Sequence, residues 1–266
     1  MDKRALPAWA IFHVPHDSTL IPTEVRNQFS LSDADLNHEL IKMTDHHTLD
    51  LFTKGASGNQ VIRSPVSRLV MDVERFEDDE QEIMSKRGMG AVYMSTHAGA
   101  PLRHPIAPFE REKLLERWYR PHHDALTKAV DQVITQYSKA LVIDAHSFPS
   151  TALPYELDQS PDRPEICIGT DEFHTPVALA KSMEQAFIVA GLDVRMNSPF
   201  AGALVPLNRY GKDQRVSAVM IEVRRDLYAN EGTGMPLPNF VQFAQKIQGC
   251  ISEAIYNWVN SSSYEP

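Results

Sequence analysis

The sequence predicts an α/β fold with a largely parallel central sheet, and three observations carry that expectation. Short apolar runs alternate with stretches of helical period along the whole chain. The runs at 140–143 and 217–223 are apolar on both alternating faces, as strands covered by helices on both sides are. Polar, ligand-type residues end or interrupt three of these runs, and open α/β sheets carry their sites at strand ends.

Taken in order, Ala8–Val14 is an apolar strand that ends in the polar loop Pro15–Thr19, closed by Pro22. Ser32 caps a helix, with Asp35 three residues on, and Leu36, Leu40, Met43, His47 and Leu51 form its apolar stripe. Gly55–Asn59 ends that helix. Gln60–Arg63 reads as a strand and Ser67–Arg75 as a further extended segment. Residues 77–109, charged at first and then rich in Gly, Pro and Ala, are expected to form a long functional or mobile loop. Glu110–Tyr137 is a long helix bent or broken near Pro121.

Ala140–Ile143 is the central strand, and the four prolines of 149–164 mark a loop. Glu165–Gly169 and Leu192–Arg195 are strands around a helix at 176–190, which Gly191 ends. Loop 198–215 leads to the strand Ser217–Val223, and 237–258 is the last amphipathic helix. The tail 260–266 is expected to fray. The length, 266 residues, suits one large α/β domain, so 1–266 is taken as a single catalytic unit.

Composition excludes several function classes. The chain is 42% hydrophobic and 23% charged, ordinary for a soluble globular protein. Its formal charge of −9 (26 basic, 35 acidic residues) argues against nucleic acid and anionic membranes as partners. No run of 18 apolar residues is present, so no membrane span is expected, and the N-terminus lacks the apolar core of a signal peptide. Cys167 and Cys250 sit in no paired motif, consistent with a reduced, cytoplasmic protein. A homo-oligomer is compatible with the sequence.

Three strand ends concentrate the candidate chemistry. His13 and His16 follow the first strand, while Asp144 and His146 follow the central one. Two residues apart in extended chain, Asp144 and His146 point the same way, so the carboxylate can orient the imidazole. A borderline cation such as zinc takes imidazole nitrogen and carboxylate oxygen, with three protein ligands in a catalytic site. His16 and His146 are the first two candidates and Asp45 the third, with Asp17 and His13 as alternatives. Glu222 is the single charge inside an apolar strand. A buried carboxylate costs several kcal/mol unless paired or near a metal. It therefore reads as a general base, against a structural pairing with Arg224 or Arg225. Arg68, Asp72 and Arg75 share one segment, where arginine forks suit a substrate carboxylate, although spacing alone favours a solvated edge strand. Ser147 lacks a Gly-x-Ser-x-Gly elbow, and no glycine-rich phosphate loop is present.

These stretches together resemble the N-formylglutamate amidohydrolase family. Pro15-His16-Asp-Ser-Thr-Leu-Ile-Pro22 is similar to its first motif, and Thr44-Asp-His-His-Thr-Leu-Asp-Leu-Phe52 to its Asp/His helix. Ser67-Arg68 through Arg75 is similar to an Ser-Arg-x-x-x-Asp-x-Asn-Arg segment, with Glu74 standing where the family often has Asn. Trp118-Tyr-Arg-Pro-His-His-Asp-Ala-Leu126 places His123 on a family histidine. Asp144-Ala-His-Ser147 and Ile221–Tyr228 complete the series, in order, over about residues 13–230.

The resemblance implies a zinc-dependent amidohydrolase, with another divalent metal as the alternative. It implies a mixed, mostly parallel sheet flanked by helices, as in the zinc carboxypeptidases and aspartoacylases. His16, Asp45 and His146 would hold the metal, Asp45 standing in for a Glu that those relatives carry at the position of Thr19. Glu222 would be the base. Arg68, Asp72 and Arg75 would bind the substrate carboxylate, with Asp144 and His123 behind the ligands. The implied substrate is a small anionic N-acyl amino acid, most simply N-formyl-L-glutamate, at the end of a histidine breakdown route. A peptidase or peptidoglycan amidase on the same fold, or a metal-binding homologue without catalysis, are the rival readings.

Overall fold

The computed structural model describes residues 6–54 and 60–261. Its centre is a six-stranded sheet in the order β2-β1-β3-β6-β4-β5. The strands are β1 (Ala10–Val14), β2 (Gln60–Arg63), β3 (Ala140–Phe148), β4 (Ile166–Gly169), β5 (Val194–Met196) and β6 (Val216–Arg224). All neighbours are parallel except β4 and β6, which run antiparallel, so the sheet is mixed. Every residue of β1 and β3 is buried, which is the signature of strands covered on both faces.

Helices α1 (Thr23–Arg26), α2 (Asp33–Met43), α3 (Thr48–Thr53), α4 (Pro108–Leu114), α5 (Arg120–Tyr137), α6 (Val177–Val189) and α7 (Phe240–Ser261) complete the fold. The last three supply most of the cover. Helix α7 packs on α3 and α6, and α5 packs on β1, β2 and β3. Ala129, Val130 and Val133 of α5, and Ile247, Ile251 and Ile255 of α7, enter the same core as Leu141, Ile143 and Val219. A second apolar cluster gathers Leu69, Val70, Met89, Tyr93, Leu102 and Trp118. No helix among the described residues is long and apolar enough to cross a membrane.

Several local expectations change in the structure, each for a visible reason. The helix expected to run from Ser32 to Leu51 is two helices. Ser32 does cap α2, accepting from the Asp35 amide (3.2 Å). At Thr44 the chain turns extended, His47 takes a left-handed conformation (φ 62°), and the Asp45 amide donates to the His16 carbonyl (2.9 Å). That bond redirects the chain to the end of β1. Segment 67–75 forms turns rather than a strand. Ser67 Oγ accepts from the Leu69 amide and Asp72 Oδ1 from the Glu74 amide, the local side-chain bonds that compete with a ladder.

The helix around Pro121 is interrupted by a wide π turn over Leu115–Tyr119 before α5 begins, since proline supplies no amide hydrogen for the α ladder. Strand β3 extends to Phe148 instead of stopping at Ile143, because β6 pairs with it along its whole length. Within 77–109, expected as a functional or mobile loop, a 3-10 turn spans Ile83–Arg87, and Met89, Tyr93 and Leu102 are buried. The helix end placed at Gly55–Asn59 and the tail beyond Ser261 lie outside the described residues.

Candidate metal and catalytic site

At the carboxyl ends of β1, β3 and β6 the fold collects its most expensive residues. Parallel pairing puts His13 beside Asp144 and His146 beside Glu222. The turn that ties Asp45 to the His16 carbonyl brings the third element in. His16, Asp45 and His146 thereby place one ligand-type atom each within 4.8 Å of one another, all buried. Asp45 Oδ2 lies 3.3 Å from His146 Nδ1 and 3.8 Å from His16 Nδ1. Asp17, the alternative ligand, points elsewhere: it pairs with Arg63 and accepts from the Leu49 amide.

Each of the two histidines is oriented from behind by a carboxylate. His16 Nε2 donates to Asp72 Oδ1 (2.9 Å) and His146 Nε2 to Asp144 Oδ1 (3.0 Å). A carboxylate only accepts, so these contacts put a proton on Nε2 of each ring, while Nδ1 of both rings faces Asp45, that of His146 within hydrogen-bond reach of Asp45 Oδ2 (3.3 Å). This is the arrangement that holds a metal-binding imidazole in the right tautomer. His16 Nδ1 is buried without a hydrogen-bond partner, an orphaned acceptor that a cation would satisfy. Two imidazoles and a carboxylate suit zinc and other borderline divalent cations, so the residues present fit a metal.

The orienting carboxylates are themselves held. Asp72 Oδ2 accepts from Arg68 Nη2 (2.8 Å) and from the Tyr93 hydroxyl (2.5 Å). Asp144 accepts from His13 Nδ1 (2.8 Å) and from the Leu204 amide (3.1 Å), and His13 Nε2 meets His122 Nε2 at 2.8 Å. Arg225 clamps Asp45, donating to its Oδ1 (3.1 Å), to the Ser147 carbonyl (3.1 Å) and to the Lys42 carbonyl (3.0 Å).

The electrostatics follow this geometry. Burial and Arg68 both oppose a proton on His16, yet Asp72, Glu74 and Asp45 outweigh them and raise its pKa. Burial opposes a proton on His146 too, but Glu74, Asp144 and Asp45 lift it well above the ordinary value. Positive charge is favoured between these side chains. Burial would raise Asp45 and Asp72, but for Asp45 the two histidines, and for Asp72 chiefly Arg68, pull the carboxyl below the usual range. Glu222 goes the other way. Burial, with Asp45 and Glu74 adding to it against the opposing histidines, pushes it up to about 8, and its Oε2 has no partner. At about 8 the carboxyl is largely protonated at neutral pH, and a cation held by His16, Asp45 and His146 would draw it toward the ionised form that can take and return a proton.

The sequence-predicted residues divide accordingly. His16, Asp45, His146 and Glu222 line one cavity with Arg68, Arg75 and Asp144. Asp72, grouped by sequence with the substrate-binding arginines, is fully buried behind His16 with both oxygens occupied. His123 donates to the Val73 carbonyl (2.9 Å), and it is His122 that joins the Asp144 network through His13. Glu74, read in the sequence only as a departure, lies 3.1 Å from His146 Nε2 and 3.6 Å from His16 Nδ1. Tyr93 carried no sequence signal as a site residue, His122 stood only as the neighbour of His123 in the Trp118–Leu126 stretch, and Arg225 was read as a possible partner of Glu222, whereas it pairs with Asp45. Arg225 offered one weak cue, its place three residues after Glu222.

The chain is similar to known proteins along most of its length. The family model for N-formylglutamate amidohydrolase matches residues 9–229. An N-formylglutamate deformylase of Pseudomonas putida is 27% identical over 194 residues, covering 71% of each chain. One from Pseudomonas aeruginosa is 27% identical over 229 residues, covering 83% of this chain and 82% of its own. A crystal structure of N-formylglutamate amidohydrolase from Ralstonia eutropha JMP134 superposes with a TM-score of 0.82 at 21% identity, covering 97% of this chain and 96% of that one. Since the family model spans the three strand ends, the arginine segment and Glu222, the chain belongs to the N-formylglutamate amidohydrolase family.

Proposed function

We propose that this protein is a zinc-dependent amidohydrolase that cleaves the amide bond of an N-acyl amino acid, with N-formyl-L-glutamate as the first candidate substrate and formate and L-glutamate as products. The observation that carries the reading is Glu222, its Oε2 buried without a partner, in register with His146 and lining the same cavity as His16, Asp45 and His146. A divalent cation held by those three residues would supply Lewis acidity, polarising the amide carbonyl and easing deprotonation of water.

The chain's own residues would do the rest. Glu222 takes the proton from the attacking water and returns it to the leaving amine nitrogen. Arg75, which lines the cavity, binds the substrate carboxylate together with the edge of Arg68 that Asp72 does not use. Asp72 and Asp144 hold the two imidazoles by their Nε2 protons, and Arg225 keeps Asp45 ionised and aimed. Asp72 supports the substrate subsite indirectly, through Arg68. The whole of 1–266 would act as one catalytic unit, and release of formate and glutamate would suit the end of a histidine breakdown route in the cytoplasm.

Metal content and turnover test the reading together. Protein purified without chelator should carry about one zinc per chain, lost in His146→Ala, and should release formate from N-formyl-L-glutamate. A chain that binds no divalent cation after zinc is supplied sinks the mechanism.

A further inference from the structure

The cavity over the site is larger than N-formylglutamate requires. It holds about 720 Å³, within the range of roughly 300–1,000 Å³ that encloses drug-sized ligands, whereas N-formylglutamate has about a dozen non-hydrogen atoms. Its lining explains where the extra room lies.

Two walls reach the two histidines through different partners. One is charged: Arg68 and Arg75 approach His16 through Asp72, with Nε of Arg75 3.9 Å from Asp72 Oδ2. The other is apolar and approaches His146 through Asp144, which accepts from the Leu204 amide. Phe200, Ala203, Leu204 and Val205 form it, backed by Phe148 and Met220. This wall is seated firmly. The Phe148 and Phe200 rings lie 5.7 Å apart, and Cys167 Sγ donates to the Phe200 carbonyl (3.1 Å). Gly169 lets the loop come close, since a Cβ there would fall 2.4 Å from the Gly202 carbonyl oxygen. At the mouth, Ile83, Leu157 and Leu207 stay 65%, 68% and 57% exposed. Of these, Leu207 follows the Phe200–Val205 wall in the chain, while Ile83 stands beside Glu82, which accepts from the Phe76 amide on the arginine side.

A formyl group carries only hydrogen on its acyl carbon and gives such a wall nothing to bury. With the amino-acid carboxylate on the arginines beside His16, the wall beside His146 is the one left for the acyl side of the scissile bond. We infer that the preferred substrates are N-acyl amino acids with an apolar acyl chain of several carbons, formyl being the shortest member accepted. This rests on the amidohydrolase reading above and specifies its acyl subsite.

The test is a homologous series on the zinc-loaded full chain: N-formyl-, N-acetyl-, N-butyryl-, N-hexanoyl- and N-octanoyl-L-glutamate, followed as released glutamate. We expect kcat/KM to rise about tenfold or more from formyl to hexanoyl, each buried methylene adding binding. Leu207→Asp, at an exposed position that folding does not need, should lower the hexanoyl-to-formyl ratio several-fold. A series that is flat or falls from formyl onward overturns the proposal and leaves the amidohydrolase reading standing. No glutamate released from any member removes both.

Discussion

His146 and Glu222 stand opposite each other across the parallel pairing of β3 and β6, and both are buried at the same strand ends. The pairing fixes a candidate ligand and a candidate base in one register, with no loop between them to blur the distance. Rigid strands hold such groups more accurately than loops do. Replacing Glu222 by Gln keeps the shape and removes the proton acceptor. The expected result is a fall in kcat of roughly 10²–10⁴, the usual range for general acid–base catalysis, with zinc content and thermal stability retained. Stopped assays of glutamate release beside metal analysis check it, and a variant of near wild-type kcat would take Glu222 out of the chemistry.

Much of this site was legible before any coordinates, and the reason is chemical cost. Asp144 and Glu222 are carboxylates in or beside apolar runs, and such residues announce a partner or a task. His16 and Asp45 were legible mainly as members of ordered motifs. What escaped was whatever depends on chain reversals. Asp72 reads as a neighbour of two arginines, but the turns of 67–75 drive it inward behind His16. Of the pair at 122 and 123, helix phase alone does not tell which ring faces β1, and it is His122 that does. The strands were readable from apolar runs and the interruption near Pro121 from the proline itself, whereas the antiparallel β4–β6 pairing and the break at Thr44 are settled by tertiary contacts.

Asp72 orients His16 without lining the cavity, and this makes a separable prediction. Asp72→Asn leaves the size unchanged but removes the charge that Arg68 and His16 share. Zinc affinity should drop about 10–100-fold, the usual loss when a partner behind a metal-bound imidazole is removed. Competition against a chromogenic chelator measures it. Affinity equal to wild type would mean that Asp72 serves Arg68 alone.

His122 gives a pH dependence with a definite sign. Burial first, then the neighbouring His13, push its pKa down to about 2 from an ordinary 6.5. A group depressed in the fold stabilises fully above its unfolded pKa, and that stability is lost as pH falls toward the folded value. Unfolding free energy of the zinc-free protein should therefore decline below about pH 6.5, with His122 contributing up to about 1.4 kcal/mol per pH unit. His122→Gln keeps a polar contact to His13 and cannot titrate, so its urea midpoints between pH 6.5 and 4 should slope less steeply. Parallel slopes in the two proteins would show that His122 is not held neutral.

Metal loading should report on the fold as well as on turnover, because the four carboxylates Asp45, Asp72, Asp144 and Glu74 crowd around three histidines, His13, His16 and His146. The zinc-free chain must hold that charge with Arg68, Arg225 and extra protons on His16 and His146. A cation relieves it only in the folded state, since the ligands come from the ends of β1 and α2 and from β3, far apart in sequence. Binding to the native state alone stabilises by about 2.7 kcal/mol at a free concentration one hundred times Kd. Chelator treatment should therefore lower Tm by several degrees, zinc should restore it, and calcium, which prefers all-oxygen sites, should not. In His146→Ala the zinc-dependent rise should vanish. If that variant still gains the full shift, the cation that stabilises the protein is bound elsewhere than between His16, Asp45 and His146.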